Sequence, residues 1–201
     1  MSYRYIIGID EVGRGPLAGP VTVGAVCVSR DINPSFFEGI RDSKQLSAQK
    51  RRVWKNKLKG LARAQQTCAY AVSSVSPSVI DRIGINRAIA HAMGRSLRTI
   101  LRKLNIAPDE CVVLLDGGLR APASFLRQKT IIRGDEQEPV IGLASILAKV
   151  HRDTYMERLA IKYPLFGFDA HKGYGTASHI QQIRRHGPCN IHRRSFIKRI
   201  I

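Results

Sequence analysis

The order of short apolar segments along the chain constrains its fold more than any other feature. Two segments rich in β-branched residues come first, Tyr3 to Asp10 and Val21 to Ser29, each bounded by glycine or proline, as is typical of strands. A third strand is predicted within Ala64 to Val75. The continuous apolar run Cys111 to Asp116 is typical of a buried strand. A fifth strand is predicted at Gln128 to Arg133.

Segments with helical spacing separate these strands. Ser47 can cap a helix that lies between the second and third strands, and the apolar positions from Asn86 to Leu104 follow helical periodicity. Pro139 begins a long predicted helix, and Thr176 is the predicted cap of another helix that ends near Gly187. Strands that first run consecutively and then alternate with helices predict an α/β domain with a mixed sheet.

Length and cysteine content indicate one intracellular domain. A chain of 201 residues suits a single domain, and no linker divides it. The sequence has no run of about 18 apolar residues, so no membrane helix is predicted, and the N-terminus does not resemble a signal peptide. The four cysteines are far apart and show no CxxC spacing, which favours neither a zinc site nor disulfides. We therefore expect a cytoplasmic protein.

The chain is strongly basic. Lys and Arg number 33 against 15 Asp and Glu, a formal charge of +18. Such a surface attracts polyanions, although a generally basic proteome would give the same charge. The distribution favours a nucleic-acid partner, because no acid follows Asp169 and Asp42 is the only acid between Arg41 and Arg63.

Acidic residues stand next to glycines at three predicted strand ends. Asp10 and Glu11 end the first strand, Asp116 ends the fourth, and Asp135 ends the fifth. An acid at the end of an apolar strand is costly to desolvate unless a positive charge compensates it. Any one of these acids could simply cap a turn. Together, on a chain that binds polyanions, they predict a site for Mg²⁺ or Mn²⁺, which prefer oxygen ligands.

Six segments, taken in order, resemble bacterial ribonuclease HII and span nearly the whole chain. They are GIDEVGRGPLAGPV (8–21), DSKQLS (42–47), LLDGG (114–118), ASILAKVHRD (144–153), HKGYGT (171–176) and HRRSF (192–196). The resemblance implies the ribonuclease H-like fold, with a five-stranded mixed sheet flanked by helices. It implies that residues 1–201 form a single catalytic domain, with about 164–201 as a basic helical C-terminal extension.

The same resemblance implies the active-site acids. The four acids that would bind the metals and catalyse the reaction are Asp10, Glu11, Asp116 and Asp135. The family usually has KGD where this chain has RGD at 133–135. Asp153 is the rival for the fourth position. We interpret it as a structural partner of a nearby base, because it falls in the middle of a predicted helix.

The implied reaction is hydrolysis with two divalent cations. The substrates would be RNA–DNA hybrids and duplex DNA that contains embedded ribonucleotides. Cleavage on the 5′ side of the ribonucleotide would leave 3′-hydroxyl and 5′-phosphate ends. No serine or cysteine has a partner that suggests covalent catalysis. We expect a monomer that does not bind membranes.

Substrate choice requires a group that reads the 2′-hydroxyl. Gly13 and Gly15 would let the backbone approach a sugar closely, and Arg14 could hold a phosphate. Tyr174 resembles the family residue that packs against the deoxyribose after the scissile phosphate. The further phosphate-binding candidates are Lys44, Lys172, Arg193 and Arg194.

Two other classes of protein remain open at this point. A non-catalytic, basic nucleic-acid-binding protein would explain the charge but not the acids at strand ends. Another nuclease of the same fold, such as a junction resolvase, would share the clustered acids but not the GRG and GYGT segments. A duplex with one embedded ribonucleotide would discriminate among the three.

Overall fold

A five-stranded mixed sheet forms the centre of the computed structural model, which describes residues 3–40, 46–64, 67–198 and 200. The strand order is β3-β2-β1-β4-β5. β1 pairs antiparallel with β2 and parallel with β4. The strands are β1 (Tyr5–Val12), β2 (Val21–Ser29), β3 (Ala69–Val75), β4 (Cys111–Asp116) and β5 (Gln128–Ile131).

Helices cover both faces of the sheet. They are α1 (Ala48–Ala64), α2 (Pro77–Ile83), α3 (Ile85–Leu104), α4 (Gly134–Gln137), α5 (Pro139–Lys162), α6 (Phe168–His171), α7 (Ala177–His186) and α8 (Arg194–Ile197). Short 3₁₀ helices occupy Pro34–Phe37, Pro108–Glu110 and Pro164–Phe166. No helix in the described ranges is long and apolar enough to cross a membrane.

Two apolar layers sandwich the sheet. Ile7 and Ile9 of β1 pack with the buried side of α3, whereas residues on the other face of the sheet pack with α5. Helix α5 lies so close to β1 and β2 that a Cβ atom at Gly8 or Gly24 would collide with its backbone. This close approach holds the N-terminal part of α5 over the strand that carries Asp10.

A third apolar cluster lies in the C-terminal part of the chain. Residues such as Phe168, Ile183 and Ile197 pack around Ala18 and Met156. Ala18 also forms an isolated β-bridge with His192. The C-terminal segments are therefore packed directly against the chain that leaves β1.

Most predicted elements are confirmed, including the mixed sheet, the bounds of β2 and β4, the start of α5 at Pro139 and the Thr176 cap. The third strand is shorter than predicted, because α1 continues to Ala64 and β3 begins only at Ala69. β1 runs from Tyr5 to Val12, two residues beyond the predicted end at Asp10, because antiparallel pairing with β2 extends it.

The prediction that Asp135 ends the fifth strand is wrong. β5 ends at Ile131, and Arg133 then adopts the left-handed conformation with φ 55°. This residue turns the chain into α4, so Asp135 lies in the first turn of a short helix. The prediction that Asp135 binds a metal therefore depends on the position of α4 and not on the end of a strand.

Candidate active site

Asp10 and Glu11 are consecutive residues near the end of β1, so their side chains leave opposite faces of the strand. Asp10 is buried, and its Oδ1 accepts a hydrogen bond of 2.7 Å from the backbone N–H of Glu11. Ser145 of α5 makes a side-chain hydrogen bond to Asp10. Glu11 accepts a hydrogen bond of 3.0 Å from Nε of Arg14. Each carboxylate is thus oriented by its own donor.

Asp116 ends β4, the parallel neighbour of β1. Ile9 is aligned with Leu115, so the residues that follow them, Asp10 and Asp116, come side by side. Oδ1 of Asp116 accepts a hydrogen bond of 2.7 Å from the backbone N–H of Gly134. That contact ties the start of α4, where the buried Asp135 lies, to the end of β4.

Asp10 and Glu11 lie in surroundings that disfavour their ionisation. Burial, with smaller contributions from the negative charges of Asp116 and Glu11, raises the pKa of Asp10 to about 8, although the Ser145 hydrogen bond opposes the shift. Burial also raises the pKa of Glu11, and the neighbouring Arg14 opposes that shift. Clustered carboxylates with raised pKa values are characteristic of functional sites.

The donor set fits a hard divalent cation. Asp10, Glu11 and Asp116 supply carboxylate oxygens, the ligands that Mg²⁺ and Mn²⁺ prefer, and a cation would offset the cost of keeping Asp10 ionised in its buried position. Among the residues that the structure describes, no three His, Cys, Asp or Glu side chains stand as a ready-made metal-binding group. The acids are therefore coupled electrostatically without forming a closed ligand cage.

A cavity of about 380 Å³ opens beside Asp10 and Glu11, and neither Asp116 nor Asp135 lines it. Six of the residues predicted from the sequence line it, namely Asp10, Glu11, Gly13, Arg14, Gly15 and Tyr174. Its wall also includes Arg51, Ser145 and Lys149, which the sequence reasoning missed. Ser145 and Lys149 lie one helical turn apart on α5, so a helical projection of that segment against the DE pair could have identified them.

The GRG loop approaches the cavity with its backbone. Gly13 has φ +89°, and a Cβ atom there would lie 2.8 Å from the carbonyl oxygen of Pro20 and would collide with Arg152. A Cβ atom on Gly15 would meet nothing within 4 Å. Arg14 lies between them, and its Nη1 donates a 2.9 Å hydrogen bond to Asn86. The first glycine is needed for the turn, and the second leaves open space.

The prediction that Arg193 binds phosphate on the surface is wrong. Its side chain is fully buried and donates to the backbone carbonyls of Gly19, Arg14 and Gly13 at 3.0, 2.9 and 2.6 Å. The reason is that this segment turns its carbonyl groups inward, where they need donors. Arg193 therefore supports the GRG loop from behind.

Arg152 of α5 has a parallel role that the sequence did not reveal. It is also fully buried, and it donates to the carbonyl oxygens of Pro20 at 2.9 Å and Ala18 at 3.2 Å. Its guanidinium carbon lies 5.8 Å from the centre of the Tyr174 ring. Two buried cations thus hold the loop that follows β1.

The other basic candidates have different positions. Lys172 forms an ion pair of 3.1 Å with Glu157 and also donates to the carbonyl of Asp169. Arg194 is exposed, and its backbone N–H donates to Asp81. Lys44 lies outside the described residues. Neither Lys172 nor Arg194 lines the cavity.

Asp153 forms an ion pair of 2.9 Å with Lys149, one turn earlier in α5. This contact agrees with its interpretation as the structural partner of a nearby base. It also holds Lys149 at the edge of the cavity.

The mixed sheet, in which the ends of two adjacent strands bring carboxylates together, has the ribonuclease H-like fold. The crystal structure of the ribonuclease H2 from Pyrococcus horikoshii has this fold, with a TM-score of 0.72 over 98% of this chain and 96% of that one, at 24% identity. Bst-RNase HIII in complex with Mn²⁺ matches 92% of this chain and 64% of its own, with a TM-score of 0.65 and 23% identity.

The family model "Ribonuclease HII" matches residues 7–199. The Ribonuclease HII of Caldicellulosiruptor bescii is 44% identical over 199 residues, which are 99% of this chain and 89% of that protein. The chain belongs to the ribonuclease HII family. It is a ribonuclease H, an endonuclease that hydrolyses phosphodiester bonds.

Proposed function

We propose that this ribonuclease H cuts on the 5′ side of ribonucleotides embedded in duplex DNA, and also cuts the RNA strand of RNA–DNA hybrids. The products are 3′-hydroxyl and 5′-phosphate ends. One observation carries the proposal: the coupled acids Asp10 and Glu11 line the same cavity as the GRG loop and Tyr174. The groups suited to chemistry and the groups suited to reading a sugar therefore share one space.

The acids that hold the metal are Asp10, Glu11 and Asp116, with Asp135 as the fourth ligand. When bound, two Mg²⁺ or Mn²⁺ ions would lower the pKa of an attacking water and stabilise the leaving 3′-oxygen. The Mn²⁺ complex of the structurally similar Bst-RNase HIII supports a divalent cation. The chain's own contribution is orientation, since Ser145, Arg14 and the Gly134 N–H each direct one carboxylate.

The GRG loop reads the 2′-hydroxyl through its backbone. Gly15 has open space where a side chain would stand, which allows a sugar to come close. Arg193 draws the carbonyl groups of Gly13 and Arg14 inward, and the N–H groups of the loop are the proposed donors to the sugar. A backbone donor or acceptor can recognise a hydroxyl that DNA lacks.

Tyr174 reads the next sugar by packing. Its side chain is exposed at the edge of the cavity, with 42% of its surface accessible. A ring lying flat on a deoxyribose leaves no space for a 2′-hydroxyl. This contact would distinguish an RNA-to-DNA junction from a continuous stretch of RNA.

Basic side chains supply most of the affinity. Lys149 and Arg51 line the cavity, Lys44 is a further candidate, and the whole chain carries a formal charge of +18. Nucleic acid is the partner that this charge fits, and the proposed location is the cytoplasm. The proposed active form is the monomer, since the acids and the sugar-reading groups come from one chain.

Cleavage of three matched duplexes tests this function. One is all DNA, one contains a single ribonucleotide, and one has a continuous RNA strand. We expect no cleavage of the all-DNA duplex, a single cut 5′ of the ribonucleotide in the second duplex, and cleavage of the RNA strand in the third. Excess EDTA should abolish all activity. Cuts on the 3′ side of the ribonucleotide, or full activity in EDTA, would overturn the proposal.

A further inference from the structure

We infer that His179 and His192 are positioning residues that hold Tyr174 in register with the GRG loop. The inference rests on the proposed function, specifically on the sugar-reading role of Tyr174. The rings of both histidines are buried, and neither belongs to the described residues that line the cavity. Their effect must therefore pass through the residues to which they bind.

A directed chain of hydrogen bonds connects the two histidines to Tyr174. The backbone N–H of Cys189 donates to Nδ1 of His192 at 2.9 Å, so the proton of a neutral His192 lies on Nε2. Nε2 of His192 lies 3.0 Å from Nε2 of His179, which must accept that proton. The proton of His179 is then on Nδ1, which lies 2.8 Å from the carbonyl oxygen of Tyr174.

His171 fixes the other end of the same turn. Its Nδ1 accepts a 3.1 Å hydrogen bond from the backbone N–H of Gly173, so its Nε2–H donates to the carbonyl of Phe166 at 2.6 Å. The rings of His171 and His179 stack with centroids 4.3 Å apart. The two residues on either side of the Gly173–Tyr174 peptide bond are thus each held by one imidazole.

The surroundings keep the two linked rings neutral, as the hydrogen bonds require. Burial lowers the pKa of His179 and of His192 to about 4. Phe168 packs edge-on against His179 with centroids 5.5 Å apart, and Phe166 packs against His192 at 4.9 Å. A second proton between the two Nε2 atoms would have no acceptor. Each ring therefore has a single tautomer and a single orientation.

The chain of hydrogen bonds is joined to the GRG loop through the next residue. Arg193 follows His192, and it is the residue that grips Gly13 and Arg14. Between the two elements runs Leu17, whose N–H donates to Gly173 at 2.8 Å and whose carbonyl accepts from the N–H of Arg193 at 2.8 Å. One dipeptide, His192-Arg193, thus sets the distance between the two sugar-reading elements.

Two substitutions of His179 separate hydrogen bonding from packing. His179→Asn keeps a donor for the Tyr174 carbonyl but loses the ring, whereas His179→Phe keeps the ring but loses the donor. We expect His179→Phe to slow single-turnover cleavage of the single-ribonucleotide duplex by roughly 10-fold, with duplex affinity changed by less than about 2-fold. We expect His179→Asn to retain more activity than His179→Phe.

A double-mutant cycle identifies the residue through which His179 acts. In the Tyr174→Ala background, His179→Phe should cause no further loss of rate, because the contact it positions is already gone. The matched control is His186→Phe, an exposed histidine in the last turn of the same helix, which should leave the rate unchanged.

Nitrogen NMR of the wild-type enzyme tests the geometry without any substitution. At pH 7 we expect neutral rings with the proton on Nδ1 of His179 and on Nε2 of His192.

Four results would each overturn the inference. In the NMR experiment they are the opposite tautomer at either ring, or a charged ring. In the cleavage experiments they are a faster rate for His179→Phe than for His179→Asn, or additive losses of rate when His179→Phe is combined with Tyr174→Ala. If the wild type cuts 5′ of the ribonucleotide and Tyr174→Ala slows it, such a result overturns this inference alone. If Tyr174→Ala has no effect, the role of Tyr174 and this inference both fail.

Discussion

Asp10 is the residue at which the electrostatics of the site converge. Its carboxyl is buried in the sheet and lies among two other acids, so its pKa is raised to about 8. Without a cation, the folded protein binds a proton at Asp10 that the unfolded chain releases above its ordinary pKa of 3.8. The metal-free protein should therefore lose stability as the pH rises between about 4 and about 8.

Asp10→Asn should remove this pH dependence. In EDTA, we expect the free energy of unfolding of the wild type to fall between pH 5 and pH 8 by on the order of a few kcal/mol more than that of Asp10→Asn. Urea unfolding of both proteins at the two pH values measures it, with Asp153→Asn as a control that keeps Asp10. Equal pH dependence in wild type and Asp10→Asn would show that Asp10 is not the buried proton acceptor.

The two rivals for the fourth acid should separate by what they damage. Asp135→Asn should reduce turnover strongly with little change in melting temperature, because it removes the proposed fourth metal ligand. Asp153→Asn should lower the melting temperature by breaking the ion pair with Lys149, and should slow turnover less. Paired measurements of cleavage rate and melting temperature decide between them, and loss of catalysis in Asp153→Asn at an unchanged melting temperature would reverse the assignment.

The elements show which parts of the fold a sequence can predict. β2, β4 and the start of α5 follow local patterns of apolar and capping residues, and these predictions hold. Two features were missed, for different reasons. The burial of Arg193 depends on a distant part of the chain, because the carbonyls of the GRG loop come to face it. The start of α4 depends on a left-handed conformation at Arg133, which is uncommon for a residue other than glycine. Charge alone suggested a surface position for Arg193.

Substitution of Arg193 tests the support of the GRG loop. Lysine cannot reach three carbonyl groups at once, so Arg193→Lys should slow cleavage and lower the melting temperature. Arg193→Met removes the cation altogether. The salt dependence of duplex binding should still stay unchanged in this variant, whereas loss of a phosphate-binding cation would lower its logarithmic slope by about 0.9. Arg194→Met, at the exposed neighbour, is the control. A change of slope in Arg193→Met would return Arg193 to the phosphate-binding candidates.

The turn that carries Tyr174 should affect rate more than affinity. Tyr174→Ala removes the proposed packing contact that aligns the scissile phosphate, and misplacement of about 1 Å can cost about 10²-fold in rate. Binding should weaken only modestly, because basic side chains supply most of it. Single-turnover cleavage of the single-ribonucleotide duplex, beside a binding titration at fixed salt, measures both effects. Unchanged cleavage would remove Tyr174 from the site while leaving the acids in place.

At the scale of the whole molecule, a formal charge of +18 surrounds a small cluster of acids. The basic surface attracts the duplex, and the acids repel its phosphates unless cations lie between them. The six motifs come from all parts of the chain, and residues from three of them, 8–21, 144–153 and 171–176, line one cavity. Family membership and most of the site could be predicted from these motifs, but the support beneath the GRG loop required the folded structure.

The claim that the coupled carboxylates perform the reaction is tested most directly by single-turnover cleavage with saturating enzyme and Mg²⁺. The substrate is the duplex with one ribonucleotide, and the proteins are the wild type, Asp10→Asn, Asp116→Asn and Glu136→Gln. Glu136 of α4 is the matched control, since it forms an ion pair with Arg133 at the start of the same helix. We predict near-complete loss of cleavage in Asp10→Asn and Asp116→Asn with the fold retained, and wild-type rates in Glu136→Gln. Wild-type cleavage by either aspartate variant would contradict the account.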